Sequence, residues 1–272
     1  MKSVPARIMD YHLHSRHSMD GRQTVEEICL RAMELGLQEI CFTEHIEPHH
    51  PDPKSDIPPV YSKWLAEIES MRTKYPELIL RQGLEIGDNP PYRNEILQTL
   101  QSLPLDFHLL SLHLVDNVDP FEPVFFEGKS KEAAYRRYVE CRAESVLSFP
   151  DYDSIAHLGY VCKFAPYPPT ERPLRYCHAP DEFDAIFKHL AQNGKAMEIN
   201  TSGLRATDSP IPGADLIKRY LELGGEFFTF GSDAHAPDQL YSHVEKAKEI
   251  ARTCGAKWQV SFVKRKMQVW AI

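Results

Sequence analysis

Histidines and carboxylates occur in this chain in short clusters whose spacing suits the binding of cations. Asp10-Tyr11-His12-Leu13-His14 places two imidazoles two residues apart. Residues i and i+2 of a strand point to the same face, so His12 and His14 can reach one ion together. His45 follows in Thr43-Glu44-His45, Glu85 in Gly83-Leu84-Glu85, His113 in Ser111-Leu112-His113 and His157 in Ala156-His157-Leu158-Gly159. Asp233 and His235 close the series in Gly231-Ser232-Asp233-Ala234-His235. Nitrogen and oxygen donors of this kind suit Zn²⁺, Mn²⁺ or Fe²⁺. The set is too large for one ion, and a carboxylate such as Glu85 can bridge two. Such a site would acidify a bound water, from a pKa of about 15.7 towards about 7 on zinc, and the hydroxide could attack an ester whose oxygens the metals polarise. Taken singly, Glu85 or His157 reads as a hydrogen-bonded core or rim residue; only the joint placement points to metal.

That placement depends on strands alternating with helices from end to end. Strands are predicted over 7–13, 39–43, 78–86, 105–112, 152–156, 196–199 and 226–230, with a further one over 258–263. Thr24 with Glu27 three residues on forms a capping box. Val25, Ile28, Cys29, Ala32 and Leu35 then recur at helical spacing, and Gly36 closes the helix. Other helices are expected over 60–74, 94–103, 131–148, 182–192, 214–223 and 239–254. A parallel neighbour needs a crossover that a helix supplies. About seven or eight such units in a chain of 272 residues favour a closed barrel over an open doubly wound sheet. No Gly-rich turn follows the first strand, which weighs against dinucleotide binding. In a parallel barrel the carboxy-terminal strand ends open onto one face. All but one of the seven strands before 258–263 deliver a histidine or carboxylate there. Two proline-rich stretches, 47–59 and 165–180, directly follow strands. On a barrel they would form a rim or lid over this face, and a plain surface excursion is an equal reading of each.

The net charge of −8, from 31 Lys and Arg against 39 Asp and Glu, argues against nucleic-acid binding through bulk electrostatics. An anionic substrate must then be held by metal ions or a few basic side chains. The six cysteines form no C-x-x-C pair and read as reduced residues of a cytoplasmic protein. Residues 1–10 carry no apolar targeting segment, and no run long enough to span a membrane follows.

With these residues in place the chain resembles the PHP (polymerase and histidinol phosphatase) family of metal-dependent phosphoesterases. The likeness runs through D-x-H-x-H at 10–14, T-E-H at 43–45, G-L-E at 83–85, S-L-H at 111–113, A-H at 156–157 and G-S-D-A-H at 231–235. Ser18-Met19-Asp20-Gly21 and Glu198-Ile199-Asn200-Thr201-Ser202-Gly203-Leu204-Arg205 are most similar to the stand-alone histidinol-phosphate phosphatases. The resemblance implies an α/β fold, a distorted (β/α)7 barrel, forming a single domain over residues 1–272. On that count the strand over 258–263 is peripheral. It also implies two to three divalent transition-metal ions (Zn, Mn or Fe). His12, His14, Glu85 and Asp233 would hold the first, Glu85, His113 and His157 the second, and Asp20, His45 and His235 the third. Some relatives carry histidine where Asp20 stands, and an oxygen ligand there favours a harder or more weakly bound ion. His17 is the alternative ligand at that place. The remaining histidines, His49, His50, His108, His178, His189 and His243, read as bland residues, those in loops being the first candidates for a further role.

The implied reaction is hydrolysis of a small phosphomonoester, with Glu85, Asp233 and His235 at the reacting centre and fixed cations stabilising the developing charge. Arg205, Lys163 and Asn200 are the expected substrate contacts, Arg205 as a fork on two phosphate oxygens and Lys163 as a point charge. Asp10 and Glu44 are expected to orient metal-bound histidines. Histidinol phosphate as substrate comes from the resemblance alone. A nucleotide or sugar phosphate, a non-catalytic metal-binding module, and an amidohydrolase on a related barrel are the alternatives. The last lacks a bridging lysine at a strand end.

Overall fold

The computed structural model describes residues 5–272; residues 1–4, part of the segment read above for a targeting signal, lie outside the described residues. Strands β1 (Met9–Leu13), β2 (Glu39–Ile46), β3 (Ile79–Gly87), β4 (Phe107–Ser111), β5 (Ser154–Ile155), β6 (Ala196–Asn200), β7 (Phe227–Gly231), β8 (Trp258–Val263) and β9 (Lys266–Ala271) lie side by side in chain order. Pairing is parallel from β1 to β8 and antiparallel between β8 and β9. The helices are α1 (Val25–Glu34), α2 (Tyr61–Lys74), α3 (Arg93–Ser102), α4 (Lys131–Ser148), α5 (Val161–Phe164), α6 (Pro180–Gln192), α7 (Ser202–Ala206), α8 (Ala214–Glu222) and α9 (Val244–Cys254). The capping box forms as expected, with the Glu27 N–H donating to Thr24 Oγ1 at 3.1 Å and the Thr24 N–H to Glu27 Oε2 at 2.8 Å.

The parallel strands return to their start. Leu13 bridges Ala234, the His14 N–H donates to the Ala234 carbonyl at 2.9 Å, and the Asp233 N–H donates to the His12 carbonyl at 2.8 Å. β1 and the end of β7 therefore close the ring, and seven strands form the barrel. β8 meets β7 only at Phe227 and Phe228 and then swings beneath the barrel. Val260 and Phe262 pack there with Met9, Tyr11, Cys41, Phe107 and Leu109. Thus 258–263 is peripheral, and its hairpin with β9 plugs the amino-terminal end.

β1 holds one residue more than β2 between the pairs Asp10–Ile40 and Leu13–Phe42. This bulge breaks the alternation of faces. Tyr11 joins the plug cluster, Leu13 the outer helix-covered core, and His12 turns inward one layer above Tyr11. β2 and β3 run without a break, so His45 and Glu85 are register partners and share the interior face.

The sequence reading departs from the fold in several places, among them the short helices α5 and α7, which it did not contain, and the strand expected over 152–156, which is only Ser154–Ile155. β9 is additional. Its two-residue turn, Lys264-Arg265, has φ of 48° and 67°, without the Asn-Gly or Asp-Gly signal such turns favour. α9 starts at Val244 rather than at 239, because Tyr241 and His243 both take positive φ. Of the proline-rich stretches, 47–59 rims the cavity described below through His50, Pro51, Asp52 and Ser55, whereas no residue of 165–180 lines it. Among the described residues all six cysteines are free, and no helix is long and apolar enough to cross a membrane.

Candidate metal centre and active site

Glu85 stands at the middle of the carboxy-terminal face. Its Oε2 lies 3.0 Å from His12 Nε2, 3.3 Å from His14 Nε2 and 3.3 Å from His45 Nδ1. Its Oε1 lies 2.7 Å from His157 Nε2 and 3.3 Å from His113 Nε2, and accepts from the Ser111 hydroxyl at 2.5 Å. Each carboxylate oxygen thus faces its own group of imidazoles. Asp233 sits beyond, with Oδ1 at 3.6 Å from His12 Nε2 and 3.7 Å from His14 Nε2. Asp20 links His235 (Oδ2 to Nε2, 2.9 Å) and His45 (Oδ1 to Nε2, 3.6 Å). All nine residues expected as ligands are brought together. His17 is not: its Nε2 pairs with Glu67 on α2 at 2.8 Å.

Hydrogen bonds on the far side of the rings set their tautomers. His12 Nδ1–H donates to Glu198 Oε1 at 2.7 Å, His113 Nδ1–H to Glu47 Oε1 at 2.6 Å, and His235 Nδ1–H to the Asp233 carbonyl at 3.0 Å. Ser18 gives its proton to Glu44 at 2.5 Å, so His14 Nδ1–H donates to Ser18 Oγ at 3.2 Å. Four Nε2 lone pairs therefore point inward, the arrangement a metal-binding imidazole needs. His12 and His14 Nε2 approach to 3.1 Å, and His113 and His157 Nε2 to 3.4 Å. The buried lone pairs of His12 and His14 at such a distance need positive charge between them. Four triads of ligand atoms lie within 4.8 Å of one another: His14-His45-His235, His12-His157-Asp233, His12-His14-Glu85 and His45-Glu85-His113. The donor set fits several divalent ions.

The titration behaviour expresses the same demand. Burial lowers the His113 pKa, but Glu47 and Glu85 override it and hold the group up at about 10. His12 is likewise raised well above the usual imidazole value, with Glu85, Glu198 and Asp233 outweighing burial. His14 goes the other way, down to about 3, through burial and the neighbouring His45 and His235. Glu85 is held well below the ordinary carboxylate range by His12, His45 and His113, against the opposing effect of burial. Without metal, protons on the rings supply the positive charge.

The sequence reading gives no role to Glu47, and names Glu198 only within the 198–205 motif without assigning it one. They grip the rings of His113 and His12, and Glu198 Oε2 also accepts the His157 N–H at 2.7 Å. The fold shows how closely they are held at two glycines. A Cβ on Gly87 would land on the Glu47 carboxylate, and one on Gly231 would collide with Glu198 and the His12 Cβ. The expected orienting residues act more remotely. Asp10 accepts the N–H groups of His12 (3.4 Å), Ser232 (2.9 Å) and Tyr241 (3.0 Å), so it holds backbone and no ring. Glu44 works through Ser15 and Ser18.

The floor opens into a cavity of about 550 Å³ lined by Asp20, Arg22, His45, Glu47, Glu85, His113, His157, Lys163, Asp233 and His235, among others. Lys163 Nζ lies 2.8 Å from Asp233 Oδ2. Arg205 and Asn200, expected to touch substrate, do not line the cavity. The Arg205 guanidinium donates to the carbonyls of Ser232 (2.8 Å) and Asp233 (3.0 Å), anchoring the loop where Asp233 takes a φ of 54°. Asn200 is buried behind His12, donating to Glu198 Oε2 at 3.1 Å and accepting from the Ser202 N–H at 2.9 Å. A shallower hollow of about 650 Å³ at the opposite end involves Arg72, Arg81 and Lys264. Arg72 is already bound there to the Leu80 carbonyl and Glu69, and none of the histidine cluster reaches it.

The PHP domain family model matches residues 10–202. The chain belongs to the PHP domain family. Among curated relatives, this PHP protein is 31% identical over 254 residues to the histidinol-phosphatase of Lactococcus lactis subsp. lactis, covering 91% of each chain. It is 28% identical to the probable histidinol-phosphatase of Clostridium acetobutylicum, covering 96% of this chain and 99% of that one. Among solved structures it matches the Lactococcus lactis histidinol phosphate phosphatase, complexed with zinc, L-histidinol and phosphate, with a TM-score of 0.87 at 28% identity. That match covers 96% of this chain and 99% of the other.

Proposed function

We propose that this PHP protein is a metal-dependent phosphomonoesterase that hydrolyses L-histidinol phosphate to L-histidinol and phosphate in histidine biosynthesis. It would act in the cytoplasm, with residues 1–272 working as one catalytic unit. The observation that carries the reading is the pair of Glu85 oxygens, each facing its own imidazole group at the floor of an open cavity. Near full-length likeness to a histidinol-phosphatase whose structure holds zinc, L-histidinol and phosphate supports the substrate.

In this reading His12, His14, Glu85 and Asp233 would hold one divalent ion, Glu85, His113 and His157 a second, and Asp20, His45 and His235 a third. Such ions acidify water and polarise phosphoryl oxygens. The chain's own groups do the rest. Glu198, Glu47 and Ser18 keep the rings of His12, His113 and His14 aimed inward. Lys163 presents an ammonium to a phosphoryl oxygen from beside Asp233. Arg205 and Asn200 are positioning residues, holding the Asp233 loop and Glu198.

The test couples metal analysis to a phosphatase panel of L-histidinol phosphate, p-nitrophenyl phosphate, nucleotides and sugar phosphates. Multiple metals per chain and the highest kcat/KM on L-histidinol phosphate are expected. Efficient turnover of the other esters with none of L-histidinol phosphate would overturn the substrate; a metal-free active protein would overturn the chemistry.

A further inference from the structure

The cavity changes character between floor and mouth. From the imidazoles a file of rings climbs outward. Tyr160 lies 4.8 Å from His113 and 5.3 Å from His157 between ring centroids, Phe164 lies 5.0 Å from Tyr160, and Phe121 lies 5.1 Å from Phe164. Beside this file stands Asp119, its side chain only 15% exposed. Its Oδ1 accepts the Phe121 N–H at 2.7 Å, and its Oδ2 accepts the Tyr160 hydroxyl at 3.4 Å and lies 3.7 Å from His50 Nε2. His50 Nδ1 accepts the Asp52 N–H at 3.1 Å, so the ring proton sits on Nε2 and faces the carboxylate. Asp119 is thus oriented from three sides, yet among the described residues no arginine or lysine pairs with it. Lys163, the lysine on this wall, is bound to Asp233 instead.

We infer that Asp119 is a specificity-determining carboxylate that selects phosphate esters whose leaving alcohol carries a positive charge beside a planar ring. The inference rests on the reading of the floor as a phosphatase site. With phosphate on the floor, a leaving group that extends along the rings comes beside Asp119. An ammonium there gains a charge-assisted hydrogen bond, and a planar group packs on the aromatic file. A sugar or nucleoside offers no cation to this carboxylate, which then loses water without gaining a charged partner from the ligand; sites built to pair a polar group reject ligands lacking it. L-Histidinol phosphate carries both an ammonium and an imidazole. The segment 117–122 bearing Asp119, and not the proline-rich stretch 165–180, then supplies the selective wall.

The experiment compares L-histidinol phosphate with imidazolylpropyl phosphate, which lacks only the amine, in the unaltered protein and in Asp119→Asn and Asp119→Ser. Both variants keep an acceptor for the Phe121 N–H. The ratio of kcat/KM for the aminated over the des-amino ester is expected to fall roughly 10- to 100-fold in the variants, mainly through KM. A second arm uses the unaltered protein with p-nitrophenyl phosphate as reporter. L-Histidinol is expected to inhibit at roughly tenfold lower concentration than imidazolylpropanol. A ratio unmoved by either variant, or equal inhibition by the two alcohols, overturns the role of Asp119. Failure to hydrolyse either imidazole ester while p-nitrophenyl phosphate is turned over overturns the proposed substrate instead, and the inhibition arm still decides on Asp119.

Discussion

The two ends of the barrel handle buried polarity in opposite ways. At the amino-terminal end opposite charges are matched. Glu39, fully buried, takes Arg7 at 2.6 Å, Arg81 at 2.9 Å and the Tyr11 hydroxyl at 2.6 Å. Arg265, from the β8–β9 turn, reaches Asp153 at 2.5 Å and Asp151 at 2.8 Å, with His108 Nε2 at 3.1 Å. At the carboxy-terminal end the same strands bring nitrogen lone pairs to within 3.1 Å of each other. Charge matched within the chain closes one end; charge left to be matched by ions and substrate opens the other. Such a division is expected where a scaffold stores local destabilisation at its site.

The most severe way to break this contrast is Glu85→Ala. It should lower kcat/KM by more than about 1000-fold and release bound metal, because it takes an oxygen from two ligand groups at once. Stripped of metal by chelation, the variant should unfold more easily than the stripped parent, since it loses the carboxylate that His12, His45 and His113 compensate. Elemental analysis and thermal melts read both outcomes, and full metal content with full activity would refute the bridging role. Arg265→Met should do the reverse. It leaves Asp153 buried without its cation and should cost about 2–4 kcal/mol in urea unfolding, while kcat of the folded fraction stays at the parent level. A loss of kcat without a loss of stability would merge the two ends. The smallest effect is in acid. His108 and Arg265 depress the Asp151 pKa below its ordinary 3.8 despite opposing burial. Its contribution is therefore complete above that value and lost as pH falls through the lower folded-state pKa. Asp151→Asn should cost under about 1 kcal/mol near neutrality, since solvent screens the pair. The gap between parent and variant should close on acid titration, and a gap that widens would reverse the sign of the linkage.

The working end was the more legible of the two. H-x-H in a strand and lone histidines at strand ends are direct consequences of side-chain alternation and parallel topology, so His12, His14, Glu85 and His113 were readable without coordinates. Residues that act from behind the rings were not, because Glu47 and Glu198 carry no spacing relation to His113 and His12, and the crowding at Gly87 and Gly231 exists only once the chain is folded. Arg205 and Asn200 show the converse. Proximity in sequence to a strand end put them near the site, but direction sends their polar atoms into carbonyls and a carboxylate. The plug was half legible. β8 reads as a strand, whereas β9 hides behind a Lys-Arg turn whose left-handed residues are held by Asp106, Asp151 and Asp153.

The bulge in β1 is a phase shifter set between these two ends. Because Tyr11 and His12 both face inward, one strand serves the plug and the reaction centre within adjacent residues. Straightening the bulge with the sequence unchanged would return β1 to strict alternation, and a chain that kept Tyr11 in the plug would rotate His12 and His14 out toward the helices. The catalytic power of the whole barrel thus hangs on a frame offset of one residue, which no substitution of a ligand could restore.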